Sequence, residues 1–185
     1  MDVFSHGLWA GVVAKATNKS FALAGKIKKP LKVWQMAIWG IFPDVFAFAI
    51  PFMWLFWNLV FGGMSFSDFP RPENMEPAAR DTLPILQIIS WLYNISHSLI
   101  IFAVVFGLIW FLLRQTPWEM SGWLLHILID IPTHSYRFYP TPFLWPFSEW
   151  KFNGFSWATP WFLILNYSLI ILVYWILRKK NKILL

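Results

Sequence analysis

The 185-residue chain has no cysteine. Disulfides and thiolate metal ligands are therefore excluded, and any metal ion must be held by His, Asp, Glu or backbone oxygen. Charge is also scarce, because Asp, Glu, Lys and Arg make up only 13% of the residues, against 58% hydrophobic and 21% aromatic. A soluble domain carries about 25% charged residues. The composition therefore predicts an integral membrane protein.

The familiar short motifs of enzymes are missing as well. The sequence contains no glycine-rich phosphate loop, no nucleophile elbow and no His-Glu-x-x-His motif. Any chemistry must therefore come from side chains that are scattered along the chain.

The net charge of +6 comes largely from two basic clusters that lie beside apolar runs. The first lies between Lys15 and Lys32, and the second is the Arg-Lys-Lys-Asn-Lys run at positions 178–182. Lysine and arginine in such places contact anionic lipid headgroups, so membrane lipids are the expected partners and nucleic acid is not. The positive-inside rule places both clusters, and the C-terminus with them, in the cytoplasm.

The apolar runs predict an all-α fold, a single transmembrane domain over 1–185 with about five helices. Three long helices are expected to span the bilayer, at 33–61, 83–113 and 160–177, with kinks at Pro43 and Pro51 in the first. Two shorter helices are expected at 3–14 and 117–132. The connections are a basic loop at 15–32, a polar outer loop at 62–82 and a cap at 133–159 that is rich in aromatic residues and proline.

Six ionisable residues interrupt these apolar runs, and they include all the histidines of the protein. They are His6, Asp44, His97, His126, Asp130 and His134. His126 and Asp130 stand four residues apart, so they share one helix face. His134 extends this face only if the helix continues past Pro132. Ionisable groups are costly in a bilayer and mark functional sites there.

A divalent metal ion would offset the cost of burying these groups, because it pairs with carboxylates and accepts imidazole lone pairs. All six are therefore predicted metal ligands, with Asp44 and Asp130 as catalytic carboxylates. Mixed N and O ligation favours zinc and also admits manganese or iron. A metal-bound water is a nucleophile, so the predicted activity is hydrolysis of an ester or phosphoester in a lipid or amphiphile. The predicted substrate-binding or supporting residues are Asn94, Ser96, Ser98, Thr133 and Arg137.

A resemblance to a known family rests on four short motifs: Ser5-His6, Pro43-Asp44, Ser96-His97-Ser98 and the run from His126 to His134. Together they resemble the bacterial membrane-bound metal-dependent hydrolases. The resemblance implies a protein of the bacterial inner membrane with a metal-dependent hydrolytic activity. The chain departs from the family's pattern at Phe46, in place of a second Asp, and at Leu92 and Tyr93, in place of a His-Arg pair.

Other interpretations of the same residues stay open at this point. Asp44 could cap the half-helix that follows Pro43, and His97 could hydrogen-bond a neighbouring helix. As a group, the six could form a transit site for metal ions or protons, ligate a haem between facing histidines, or lock together the helices of a structural subunit.

Overall fold

The computed structural model describes residues 1–25, 29–63, 65, 84–137 and 139–179. In these ranges the chain forms six α-helices and one 3₁₀ helix, Trp118–Met120, and contains no β-strand. The α-helices are α1 (Val3–Leu23), α2 (Val33–Phe61), α3 (Pro84–Ser96), α4 (Leu99–Leu113), α5 (Ser121–Thr133) and α6 (Pro160–Lys179). The prediction of an all-helical fold is confirmed.

The predicted helix at 33–61 is confirmed by α2, but the continuous helix predicted at 83–113 is wrong. The chain breaks at His97, and the segments on either side meet at a bend of 58°. Ser98 causes the break, because its side chain accepts hydrogen bonds from the amides of Ile100 and Ile101 at 3.1 and 3.2 Å and so caps a new helix, α4.

The short helix predicted at 3–14 is longer than expected, because α1 continues to Leu23 through the first part of the predicted basic loop. Asp2 caps its start and accepts hydrogen bonds from the Ser5 amide at 3.0 Å and the Tyr167 hydroxyl at 2.8 Å. Burial pushes the pKa of the Asp2 carboxyl up, but the hydrogen bonds from Ser5 and Tyr167 outweigh it and lower that pKa. These contacts tie the start of α1 to α6.

Two helices, α2 and the Pro160–Arg178 part of α6, are long and apolar enough to span a membrane. The bent pair of α3 and α4 would make a third span if both parts cross together. The three predicted spans therefore remain a prediction. The predicted outer loop at 62–82 lies outside the described residues, except for positions 62, 63 and 65.

Glycine allows the backbones of α1, α2 and α5 to approach one another closely. A Cβ at Gly40 of α2 would lie 2.8 Å from the Ala10 Cβ and 2.9 Å from the His6 carbonyl oxygen of α1. A Cβ at Gly122 of α5 would collide with the Met36 carbonyl of α2. Small residues at such crossings are typical of helix packing in membranes. The approach brings His6 and the middle of α5 against α2.

Polar and apolar side chains are distributed in the reverse of the usual soluble pattern. The buried polar set consists mainly of His, Asp, Ser and Thr side chains, whereas large apolar side chains cover the outside. Met53, Ile164 and Ile171 are each about 70% exposed, at 71%, 70% and 68%. Soluble proteins bury such residues. The outer surface is therefore suited to an apolar surrounding.

The segment after α5 folds back over the end of that helix. The amides of Gly154, Phe155 and Trp157 donate hydrogen bonds of 2.9 to 3.0 Å to the carbonyls of His134, Pro132 and Thr133. A Cβ at Gly154 would lie 2.7 Å from the His134 carbonyl oxygen and would collide with that of Pro132. Only glycine therefore fits at this contact. We call residues 139–159 the cap, and its backbone amides pair with the last carbonyls of α5.

Candidate metal centre

Four of the six predicted ligands meet at one point inside the bundle: Asp44, His97, His126 and Asp130. Each offers one ligand atom, and these atoms all lie within 4.8 Å of one another. All four side chains are buried, with Asp44 the most accessible at 7%. The cluster therefore has the composition and size of a site that could hold a metal ion.

The four side chains come from three separate parts of the fold. Asp44 lies on α2, one residue after Pro43 and one turn beyond Gly40. His97 occupies the break between α3 and α4. His126 and Asp130 lie on the same face of α5, as their spacing predicts. Helix packing through Gly40 and Gly122 brings these parts to one depth.

Both histidine rings of the cluster contact backbone carbonyls. His126 Nδ1 lies 2.7 Å from the Gly40 carbonyl oxygen, and His97 Nδ1 lies 3.2 Å from that of Tyr93. A carbonyl oxygen only accepts hydrogen bonds, so His126 Nδ1 carries a proton and, in the neutral ring, its Nε2 presents a lone pair to the cluster. His97 Nδ1 also lies 2.9 Å from the Ser96 hydroxyl, which can donate or accept, so both tautomers of this ring are compatible with its contacts. Metal-ligating histidines in proteins are held in this way by the nitrogen that does not bind the metal.

The two Nε2 atoms face each other at 3.0 Å. If both rings are neutral and protonated on Nδ1, this contact joins two lone pairs, whereas a proton on either Nε2 makes it a hydrogen bond. A carboxylate oxygen, Asp130 Oδ2, lies 3.1 Å from His126 Nε2 and 3.5 Å from His97 Nε2, yet it accepts no hydrogen bond. Three electron-rich atoms are thus crowded together, and a cation between them would make the contacts favourable.

Three of the spacings, from 3.5 to 3.7 Å, agree with coordination of a metal ion, whereas the contacts of 3.0 and 3.1 Å are shorter. Ligand atoms at about 2.0–2.2 Å from a tetrahedral zinc stand ~3.3–3.6 Å apart. Asp44 Oδ1 lies 3.6 Å from His97 Nε2 and 3.7 Å from His126 Nε2, close to this range. The remaining oxygen of Asp44, Oδ2, is buried and has no hydrogen-bond partner.

The other two predicted ligands contact the opposite oxygen of Asp130. His6 Nε2 lies 2.9 Å from Asp130 Oδ1, and His134 Nε2 lies 3.4 Å from the same atom. The amino nitrogen of Met1 also contacts Asp130 Oδ1 and lies 3.0 Å from His134 Nε2. Asp130 therefore stands between the four-ligand cluster and this second group. His134 reaches it although α5 ends at Thr133.

His6 is the least satisfied polar side chain of the second group. Its ring stacks on that of His126 at a centroid distance of 3.6 Å, and it is fully buried. Its Nδ1 makes no hydrogen bond, whereas its Nε2 has the Asp130 carboxylate 2.9 Å away. A buried ring nitrogen without a hydrogen bond is costly, which indicates a missing polar partner at Nδ1.

The residues predicted to support the site or bind substrate occupy different places. Ser96 contacts a ligand, because its Oγ lies 2.9 Å from His97 Nδ1. Ser98 donates to the Trp145 carbonyl of the cap, and Thr133 donates to the Ile129 carbonyl at 2.9 Å. Asn94 is half-buried and Arg137 is exposed. A role for these last two in binding substrate stays a prediction.

Backbone groups and one aromatic ring of the site were not predicted from the sequence. The Tyr93 ring stacks on His97 at 3.8 Å between centroids, and its hydroxyl donates to the Tyr139 carbonyl at 2.9 Å. The same Tyr139 carbonyl accepts from His134 Nδ1 at 2.9 Å. Tyr93 therefore contacts one of the histidines directly and shares a hydrogen-bond acceptor with another. Because any residue type has a carbonyl, no sequence signal marks the anchors.

No family model, no curated protein and no solved structure matches the chain. The function of the site therefore follows from its own chemistry.

Proposed function

We propose that this chain is an integral membrane hydrolase in which Asp44, His97, His126 and Asp130 bind one divalent metal ion. The observation that carries the proposal is the convergence of four buried ligand atoms within 4.8 Å of one another, among them two imidazole nitrogens that are 3.0 Å apart. Two buried carboxylates beside them add negative charge to the same point. A divalent cation would pair with all four groups.

Zinc is the metal that this ligand set favours, since two imidazoles and two carboxylates are common zinc donors. Manganese and iron accept the same donors. Such an ion polarises an ester or phosphoryl oxygen and lowers the pKa of a water molecule, which is the chemistry that hydrolysis requires. The aromatic, proline-rich cap and the buried site are the further features in support of hydrolysis, and they agree with the family resemblance.

The carboxylates of the cluster suit different tasks. Asp130 is contacted through both oxygens, by His97 and His126 on one side and by His6 and His134 on the other, so it is fixed as a ligand. Asp44 is the more accessible of the two and has a free oxygen, Oδ2. We assign Asp44 Oδ2 as the group that accepts a proton from the attacking water.

The surroundings of the site support an amphiphilic substrate. A groove of about 410 Å³ between α5 and α6 ends at Met1, whose amino nitrogen contacts Asp130. Its walls are largely apolar and include Leu128, Leu165 and Leu169. The cap closes the end of α5, so an approach between the helices is the more direct one. An ester with an acyl chain would fit this lateral entry, with its chain in the groove.

Basic residues lie near the ends of α1 and α6, and the positive-inside rule supports a cytoplasmic location for these ends. In the same arrangement the membrane would surround the apolar side chains on the outside of the bundle. The bacterial inner membrane is the location that the family resemblance implies. Location of a C-terminal reporter on inverted vesicles would test this orientation.

The experiment that tests the metal centre is elemental analysis of the purified protein. We expect about one metal ion per chain in the wild type, and loss of that ion in His126→Ala and Asp130→Asn. Asp2→Asn is the matched control, because it makes the same chemical change at a carboxylate outside the cluster and should retain the metal. A folded wild type that binds no metal at micromolar concentrations would overturn the proposal.

Turnover is the second test of the proposed hydrolase. Chromogenic esters and phosphodiesters of increasing acyl-chain length should be cleaved in the presence of metal, with longer chains preferred because the entry groove is apolar. Asp44→Asn should lower kcat at saturating metal by 10²-fold or more, which is the usual contribution of a general base. Cleavage that persists after chelation would contradict a metal-dependent reaction.

Proton transport is the second candidate function, and the same contact favours it. A proton shared between His97 Nε2 and His126 Nε2 would also turn the 3.0 Å approach into a hydrogen bond. A bis-histidine haem, by contrast, needs a porphyrin between its two imidazoles, and these nitrogens are too close for one. Proton flux into proteoliposomes, together with absence of bound metal, would favour transport over hydrolysis.

A further inference from the structure

A large groove lies away from the metal centre, where the C-terminal parts of α1 and α6 pack side by side. Its volume is about 1220 Å³, which exceeds the roughly 300–1,000 Å³ of pockets that enclose a drug-sized ligand. We call it the α1–α6 groove. Three of its lining residues are cations, Lys15, Lys19 and Arg178, and no carboxylate is among the described residues that line it. An anion would complement this charge.

The cations are arranged around one part of the groove. Lys15 and Lys19 are separated by one helical turn, so both project from the same face of α1. Arg178 lies in the last turn of α6, on the facing wall. The Lys15 ammonium sits 4.8 Å above the Tyr174 ring, a cation–π contact that links the two helices. A phosphate between the helices would be within reach of cations on both walls.

The rest of the groove is apolar, which indicates that its ligand is more than a phosphate. Leu23 of α1 and Trp175 and Leu177 of α6 line the groove together with these cations. Trp175 is 56% exposed, as is common for tryptophan at the membrane surface. A ligand that fills such a groove has an anionic head and an apolar chain.

We infer that the α1–α6 groove binds one phospholipid with an anionic headgroup, its phosphate near Lys15, Lys19 and Arg178 and its acyl chain along Trp175. The membrane location that this requires belongs to the proposed function, whereas the metal centre plays no part in it. The candidate span of α6 ends at Arg178, and the headgroup layer lies at the ends of spans. The groove is thus open at the depth where such lipids present their phosphates.

Lipid binding can be measured by native mass spectrometry of the full chain in neutral detergent. Phosphatidylglycerol should bind with a stoichiometry of one, and phosphatidylcholine with the same acyl chains should bind at least tenfold more weakly. Each cation near an anionic lipid surface contributes about fivefold in affinity. The double variant K15Q/K19Q should therefore bind phosphatidylglycerol about 25-fold more weakly than the wild type.

Arg114→Gln is the matched control, because it removes one exposed cation outside the groove, at the end of α4. It should bind the lipid as the wild type does. The inference is overturned if K15Q/K19Q loses no more affinity than Arg114→Gln, or if both lipids bind equally. It is also overturned if glycerol phosphate alone binds as tightly as the lipid, since the groove would then be a simple anion site.

Metal content separates this inference from the proposed hydrolase. K15Q/K19Q should keep the metal of the wild type, since neither lysine touches the centre, and this also shows that the variant is folded. Loss of lipid with retention of metal supports the groove. If the protein binds no metal but still prefers phosphatidylglycerol, the inference about the groove holds and only the proposed hydrolase function is overturned.

Discussion

Neutralising Asp44 should change the stability of the protein in opposite directions with and without metal. The Asp44 and Asp130 ligand atoms lie within 4.8 Å of each other, and two negative charges at that distance repel by about 3.5 kcal/mol at an effective dielectric constant of about 20. Asp44→Asn removes this repulsion. Asp44 Oδ2 accepts no hydrogen bond in the fold, so replacing this oxygen by an amide nitrogen loses no hydrogen bond. In chelator, the variant should therefore be more stable than the wild type by up to about 3.5 kcal/mol.

Bound metal should reverse the stability order of the variant and the wild type. A ligand at 1,000 times its Kd stabilises the folded state by about 4.1 kcal/mol, and a variant whose weakened site stays empty at that metal concentration gains nothing. The wild type should then be the more stable protein, by about 0.6 kcal/mol or more. A change of 1 kcal/mol shifts Tm by roughly 2–4 °C for a chain of this size. The variant should thus melt up to about 7–14 °C higher in chelator and lower in metal.

Thermal unfolding in detergent, followed by circular dichroism, is the assay. Asp2→Asn serves as the control, because the Asp2 carboxylate is outside the cluster. The difference in Tm between this variant and the wild type should not depend on metal. If Asp44→Asn is less stable than the wild type in chelator, no repulsion is relieved. The cluster would then hold its own positive charge, as in the proton-sharing alternative, and would not need a metal ion to offset its carboxylates.

Three further predictions concern the elements that build the site. Gly122→Ala should lower metal affinity 10- to 100-fold with helix content unchanged, because the new Cβ meets the Met36 carbonyl and moves α5 away from α2; unchanged affinity in a metal titration would contradict this close approach. Asp2→Ala should cost about 1 kcal/mol, measured as a lower Tm. Since the pKa of Asp2 is lowered by folding, its stabilisation is complete above about pH 4 and lost on acidification, and the variant should lack this part of the acid dependence. Ser98→Ala should lower the free energy of unfolding by about 1 kcal/mol, because it removes the N-cap side chain of α4. An unchanged Tm would show that contacts with residues 139–159 are enough to hold the break.

Strong apolar periodicity allowed the long helices to be predicted, whereas capping decided where they end. α2 agrees with its predicted range, because Asp44 is the single charged residue among its 29 residues and the rest are mostly apolar. The prediction of a single helix at 83–113 was wrong because a new helix begins after Ser98, although Ser before an apolar run is a recognised start signal. α1 extends beyond its apolar stretch, because lysine is a good helix former and does not end a helix.

Residue type and spacing singled out four residues that the fold brings into one cluster, whose role as metal ligands stays a proposal. Asp44, His97, His126 and Asp130 were each a polar interruption in an apolar run, and the fold does bring them together. The groups that orient them could not be found in this way. The carbonyls of Gly40 and Tyr93 act through the backbone, and their positions depend on the approach of α2 and on the break at His97. His134 also contacts Asp130, although it lies one residue beyond the end of α5.

The order in which the ligands appear along the chain has a consequence for biogenesis. During translation Asp44 and His97 leave the ribosome well before His126 and Asp130, since α5 is the fifth of the six described α-helices. If the chain is the membrane protein proposed above, a nascent chain that has inserted α2 and α3 carries a carboxylate and an imidazole into the bilayer before α5 brings the other two ligands. The four-ligand site would then form only after α5 has inserted, so an occupied centre would report that α2, the break at His97 and α5 have come together.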